Sequence, residues 1–455
     1  MLRKYISFIG IILIVFTCFL DYMIVNNALP SIENFFQISL LNLQWLVNIY
    51  SIVMATMLVF FGRLGDMLGY RKLFYWGALF LAAGSLGAGL VNHFGWLLFF
   101  RGIQSIGVAI IIVLGPSLIQ CIFRDKVHTP MSIYSMMGGV GLLIGPYLGG
   151  ILVTYISWRW VFLINIPVLI IGMLICLPSL KNLDQELHKA TIDFKGGVLL
   201  LVCLSTLIYA LIRQQTVGLD WFTLLNYLIF LISLPTLIYI EKRELHPTLN
   251  FNFFKQPAFV LALLSNVING TFVTCGMFFS PLFLQKVLGF SPASSGTVLL
   301  MFAVGNIIFS LILGQLAQKI QGKTSIIYML FLSIITSVIY IGFFALASVW
   351  IGMIAFFLTG ILLAVNNTVS PVIATQSVGE KNSGAAIGTI FSTFNLIAAI
   401  MLGVTAVALH VLTNGDLSVA HLKFSYAMIF VFLTGYAVIL FLVGLNTSKK
   451  LRFAD

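Results

Sequence analysis

Charge is what this sequence has least of. Only 8% of its 455 residues are Asp, Glu, Lys or Arg, where a soluble domain carries about 25% to cover its surface, and that deficit excludes water as the solvent of the fold. Cysteine is also sparse. Cys18, Cys121, Cys176, Cys203 and Cys275 all lie inside apolar runs, too scattered for metal-ligand spacing and away from any oxidising loop, so they read as small core residues. His93, His128, His188, His246, His410 and His421 are dispersed among connections and run ends. No His, Cys, Ser or carboxylate cluster falls at one level, which excludes a catalytic constellation and calls for no metal or other cofactor. The stretch from Ala317 to Thr324 reads like a phosphate loop without its first Gly, but it joins two apolar runs and follows no strand. A nucleotide site is therefore not expected, nor an ATP-driven pump.

What the sequence has is apolar length. Apolar residues make up 60% of it, with 40 Phe and 7 Trp, and windows of about 20 such residues, enough to cross a bilayer core of roughly 30 Å, recur from end to end. The candidate spans are 6–29, 43–62, 73–92, 96–120, 132–155, 159–179, 195–213, 221–240, 257–281, 294–316, 325–346, 348–371, 384–411 and 424–445. Arg3 and Lys4 before the first run resemble a signal peptide, but Asp21 interrupts the run and no small-x-small cleavage site follows, so it is read as an uncleaved span. The net charge of +11 does not point to nucleic acid, because the basic residues sit in short connections. The termini and even-numbered turnarounds hold Arg3, Arg63, Arg71, Arg124, Lys189, Lys242, Lys319, Lys381 and Lys450 among others, whereas the opposite connections hold only Arg159, Arg213, Lys286 and Lys423. Basic residues stay on the cytoplasmic side of a membrane. The asymmetry predicts an all-α integral membrane protein of about fourteen spans in the cytoplasmic membrane, with both termini inside.

Two polar stretches, Lys181 to Lys195 and Glu241 to Gln256, flank the seventh and eighth spans and are the candidate linkers. Gly62-Arg63-Leu64-Gly65-Asp66 through Arg71 has a faded echo in Gly314-Gln315-Leu316-Ala317-Gln318 through Lys323, eight spans later. That offset fits two six-helix halves, 1–180 and 257–455, around an inserted pair at 181–256, an arrangement suited to alternating access about a midplane site.

The turn after the second span packs glycines, Asp66 and basic residues into a short connection, where glycine permits a tight turn and Asp accepts from helix N-terminal amides. It resembles the signature of the major facilitator superfamily, Gly-x-Leu-Ala-Asp-basic-x-Gly-basic-basic, departing at Gly65, Met67 and Tyr70. Leu20 to Pro30 is similar to the first-span motif of the fourteen-span drug:proton antiporters, with Met23 where Thr is usual, and Leu97, Arg101, Gln104 and Gly107 resemble their fourth-span motif, with Ser105 for Gly. Gly141, Gly145, Pro146, Gly149 and Gly150 match the fifth-span antiporter motif at every core position. Glycines at this spacing leave a groove and Pro146 bends the helix; plain close approach of two helices would use Gly145, Gly149 and Gly150 equally well.

Two ionisable residues are expected inside spans, Asp21 and Arg101. A charge in hydrocarbon persists mostly where it is paired or functional, and at 1.5 Å per residue both fall at similar depth in the outer half. A purely structural ion pair and a proton-coupling pair are both open; the resemblance implies the latter, with Asp21 as proton carrier and Arg101 as its partner. It further implies that Gly62, Asp66, Gly69 and Arg71 stabilise one access state. Asn26, Gln104, Asn269, Phe272 and Asn366 are candidate contacts for cargo, although an Asn within a span serves equally to bridge helices. The expected function is proton-coupled export of small, partly apolar molecules, and the expected partners are that cargo, protons and the lipid bilayer, joined by periplasmic or outer-membrane proteins if the cell has two membranes. Export of one metabolite made by the cell, such as a siderophore, is the alternative; a non-transporting sensor or scaffold is a remote one.

Overall fold

The computed structural model describes residues 2–123, 128–176, 194–244, 251–316, 322–378, 383–413 and 418–452. The Lys181–Lys195 connection, up to residue 193, lies outside the described residues. Among those described, every regular element is helical. Backbone polar groups have no water to bond in hydrocarbon, so an apolar segment satisfies them within itself by forming a helix.

The first helix, α1 (Leu2–Ile24), passes through a 3-10 turn at Val25–Ala28 into α2 (Leu29–Phe36). Pro30 in the first turn of α2 has no N–H to return to Asn26, and the Leu29 N–H bonds the Asn26 carbonyl in the tighter register. There follow α3 (Leu40–Leu43), α4 (Trp45–Leu68), α5 (Tyr70–Leu90), α6 (Phe94–Phe123), α7 (His128–Tyr155), the short α8 (Trp160–Leu163) and α9 (Asn165–Cys176). Gly69 alone separates α4 from α5, at φ 93°, a left-handed value that an L side chain rarely takes. Next come α10 (Phe194–Val217) and α11 (Trp221–Arg243), then α12 (Pro257–Lys286), α13 (Pro292–Leu316), α14 (Gly322–Leu346), α15 (Val349–Val378), α16 (Ser383–Thr413) and α17 (Val419–Arg452). Among the described residues 11 stretches are long and apolar enough to cross a membrane, and shorter apolar helices cover Trp45–Leu58, Trp160–Cys176 and Lys195–Ala210.

The helices pair in a repeating pattern. α1 lies against α7 and α9, α4 and α5 against α6, and α5 against α9; later, α12 lies against α16 and α17, α13 and α14 against α15, and α14 against α17. The two sets meet along two seams, α7 on α13 and α4 on α16, while α10 lies on α11, α4 and α16. With no water to expel between helices in lipid, close contact of side chains holds such a bundle. The second set is packed with rings: Tyr340 stacks on Phe430 with centroids 4.4 Å apart, and Phe283 meets Phe344 edge-on at 4.8 Å. At the α10–α11 turn Asp220 caps α11 by accepting from the Thr223 N–H at 2.9 Å. The Arg213 guanidinium beside it, with Thr223, holds its carboxyl well below the usual carboxylate range.

Candidate functional site

Asp21 and Arg101 meet inside the first set of helices. Arg101 Nη1 donates to Asp21 Oδ2 at 2.9 Å and to Gln104 Oε1 at 2.9 Å. Arg101 and Gln104 stand one turn apart on α6, so both reach α1 from one face. Gln104 Nε2 donates onward to Asp21 Oδ1 at 3.2 Å and to Ser85 Oγ on α5 at 2.7 Å. Asn165, the first residue of α9 after the break at Ile164, donates to Asp21 Oδ1 at 2.7 Å and to Ser85 Oγ at 3.2 Å. Asp21, Gln104, Asn165 and Ser85 are 0% exposed and Arg101 2%. The guanidinium also lies 4.2 Å from the Tyr50 ring centroid and 5.7 Å from that of Phe162, a placement that favours a cation over ring faces. Arg101, Gln104 and Asn165 each donate to the carboxylate, and both of its oxygens are engaged. A buried ion pair repays its desolvation only when hydrogen-bonded in this way.

A second group of contacts ties the two sets together at the end of the bundle that carries Glu33. Lys286 Nζ lies 2.7 Å from Glu33 Oε1 and 2.6 Å from Oε2. Asn27, on the 3-10 turn, donates to the Pro146 carbonyl at 2.6 Å and accepts from Ser295 Oγ at 3.1 Å, and its own carbonyl accepts from Gln285 Nε2 at 3.2 Å. The Ala293 N–H donates to Thr154 Oγ1 at 3.0 Å. The fifth-span glycines lie at this junction. Gly141, Gly145 and Gly149 face the α1 backbone between Phe16 and Ile24, whereas Gly150 faces Pro292 and Ala293 of α13.

Gln104, a cargo candidate, belongs to the Asp21 network. Asn26, on the 3-10 turn, donates to Met23 Sδ at the end of α1 at 3.5 Å. Asn269 ties α12 to the Leu362 carbonyl of α15 at 2.7 Å, and Phe272 is fully buried in the apolar core. Asn366 joins a neutral network: Ser265 Oγ donates to Asn366 Oδ1 at 2.5 Å, Asn366 Nδ2 to Asn266 Oδ1 at 3.2 Å, and Asn266 Nδ2 to Ser370 Oγ at 2.7 Å. At the opposite end of the bundle Gly69 forms the α4–α5 turn and Arg71 is half-buried on α5. Gly62 and Asp66 lie on the last turns of α4, and the Asp66 carboxylate and the surroundings of Gly62 are outside the described residues. Sequence reading missed Asn165, Ser85 and Tyr50; a lone Asn inside the run 159–179 was the available signal. Glu241, taken there as the start of a connection, is buried on the last turn of α11.

The model of the Major Facilitator Superfamily matches this sequence over residues 11–402 and again over 262–452. The sequence is 31% identical over 325 residues to the multidrug transporter protein MdtP of Bacillus subtilis, an alignment covering 70% of this chain and 59% of that protein. It is 29% identical over 322 residues to the multidrug resistance protein Stp of Mycobacterium tuberculosis, covering 69% of this chain and 58% of that protein. It thus spans less than two thirds of the length of these relatives. The uncharacterized MFS-type transporter YvkA of Bacillus subtilis is 29% identical over 377 residues, with 82% and 83% covered. In solved structures the fold is like that of a POT family transporter in complex with a thioalcohol-conjugated peptide, with TM-score 0.73, 14% identity, and 98% and 96% of the two chains covered.

Proposed function

This chain belongs to the major facilitator superfamily, and we propose that it is a transporter, not an enzyme, that exports small, partly apolar molecules across the cytoplasmic membrane in exchange for protons. The observation that carries this reading is the Asp21 carboxylate, fully buried and held by Arg101, Gln104 and Asn165. A proton arriving at Oδ1 must displace Gln104 or Asn165, and one arriving at Oδ2 cancels the charge that holds Arg101. Because the donors stand on α6 and α9 while the acceptor stands on α1, protonation and helix position are linked, which is what coupling requires. The relatives named for multidrug resistance and multidrug transport support drugs as cargo.

The same reading divides the chain into residues 1–180, 181–256 and 257–455, supported by the repeated helix pairing and the two seams. It places both termini and the Gly69 turn in the cytoplasm, supported by the basic connections, and so puts the Glu33 end outside. The contacts among Asn27, Glu33, Lys286 and Ser295 then close the outer end, with Gly141, Gly145, Pro146, Gly149 and Gly150 letting α7 approach α1 and α13. Gly62, Asp66, Gly69 and Arg71 act at the inner end, where the other access state closes.

Export in sealed inside-out vesicles tests the reading, with ethidium and chloramphenicol as probes. An imposed proton gradient should drive accumulation of at least one probe, and Asp21→Asn should abolish it in protein that still inserts. Accumulation insensitive to the gradient, or undiminished in Asp21→Asn, would remove proton coupling.

A further inference from the structure

The start of α4, with Gln44 at its N-cap, carries a concentration of buried polar side-chain atoms without a hydrogen-bond partner among the described residues. Both amide atoms of Gln44 and both of Asn48 lack hydrogen bonds, as do the hydroxyls of Tyr50 and Ser51, and all four residues are at most 1% exposed. Spacings of four and three put Gln44, Asn48 and Ser51 on one helix face. That face looks onto α16. A Cβ at Gly403 would lie 4.0 Å from Asn48 Nδ2, and one turn on, Ile52 packs with Ala399 of α16 and with Leu204 and Ile208 of α10. On the other flank the Tyr22 hydroxyl interacts with Ser51 of α4 and Thr274 of α12, but neither of those hydroxyls reaches hydrogen-bonding geometry.

The two seams between the helix sets therefore differ. Where α7 meets α13, the polar groups of Asn27, Ser295, Thr154 and Ala293 are matched. Where α4 meets α16, the Asn48 amide faces Gly403. An unmatched buried amide is costly, and two within one turn persist where another arrangement, or a ligand, satisfies them. No charged residue belongs to the stripe; the nearby Arg101 is engaged by Asp21 and Gln104.

We propose that Gln44, Asn48 and Ser51 form the hydrogen-bonding wall of a binding site for a neutral molecule carrying amide or hydroxyl groups. The site is shut in this arrangement and opens when α4 and α16 part at the Glu33 end. It deepens the export reading and rests on it. Gln44 and Asn48 stand about 6 Å apart along the helix axis at 1.5 Å per residue, so the molecule they hold presents two polar groups at about that separation.

Chloramphenicol, a neutral amide with two hydroxyls, is the probe. In the double variant Gln44→Met, Asn48→Leu, the gradient-driven export of chloramphenicol should fall at least tenfold while that of ethidium changes less than twofold. In protein without its native cysteines, Asn48→Cys should react with an impermeant thiol reagent from the Glu33 side, and saturating chloramphenicol should slow that reaction several-fold. Wild-type chloramphenicol export by the double variant, or an Asn48→Cys thiol that never reacts while one placed at exposed Trp221 does, would overturn the site. If the wild type exports neither probe under a gradient, the export reading fails, and labelling with chloramphenicol protection still decides the site.

Discussion

Replacing Gly150 by alanine wedges the seam between α7 and α13. The added Cβ falls less than 3.0 Å from the carbonyl oxygen and carbon of Pro292, and because these are backbone atoms nothing can rotate out of the way. Overpacking of this kind costs about 1–3 kcal/mol. At about 1.4 kcal/mol per tenfold, that is roughly a 5- to 150-fold weight against the arrangement closed at the Glu33 end. Gly149→Ala is the control. Its Cβ also falls less than 3.0 Å from a backbone oxygen, that of Ile24, but α1 and α7 belong to the same helix set. The strain there lowers stability without distinguishing one access state from the other. Spin labels at Tyr155, on the exposed end of α7, and Val419, at the exposed start of α17, report the separation of the two sets by pulsed electron resonance. Gly150→Ala should add a longer-distance population that Gly149→Ala lacks. The same distance distribution in both variants would refute the assignment of this seam to a moving interface.

Asp21→Asn leaves Arg101 buried without its counter-ion, a loss of about 3–5 kcal/mol, so its export should be compared with that of the double variant Asp21→Asn, Arg101→Gln. Thermal melting in detergent should recover in the double variant, whereas gradient-driven export should recover in neither. Asn165→Ala removes one hydrogen bond to a charged group, worth about 1.5–3 kcal/mol, and should slow export roughly 10- to 150-fold with ethidium binding retained; an unchanged rate would reduce Asn165 to a helix bridge. Glu33→Gln breaks a partly exposed ion pair worth about 0.2–1 kcal/mol, so the Tyr155–Val419 distances should shift by less than fivefold in population, and less still in high salt. Side-by-side export of lipophilic mono- and dications should favour the monocation.

The fold was legible because lipid leaves a chain few choices. Apolar length predicts helices, and the spans read from sequence fall on helices wherever their residues are described, although several helices run further at their ends. Asp21 and Arg101 stood out because a charge within hydrocarbon is rare, and their similar depth followed from helix rise alone. Asn165 was less visible. A neutral amide in an apolar run carries little energetic signature, and only the break between α8 and α9, which aims it at Asp21, gives it meaning. Gln44 was hidden for another reason: it stands at the mouth of a span, where sequence pattern cannot tell an interfacial residue from one that tertiary contact buries completely.

The preference for monocations over dications follows from how the two helix sets divide their polar groups. In the pairing pattern α12 and α15 stand in the second set where α1 and α6 stand in the first. The first pair holds a carboxylate and a guanidinium; the second holds Asn266, Asn366, Ser265 and Ser370, closed on one another by hydrogen bonds at 2.5 to 3.2 Å. That neutral network offers no charge to a cation. Among the described residues, a dication at the centre between the sets, away from Glu33 at the end of the bundle, would face one carboxylate whose oxygens already accept from Arg101, Gln104 and Asn165, and its second charge would be stranded in a medium where unpaired charge is expensive. On the proposed coupling, a monocation exchanges places with the proton at Asp21, and a neutral molecule leaves the pair intact. Efficient Asp21-dependent export of a dication would therefore require an acid that this arrangement does not bring to the centre, and would sink the argument.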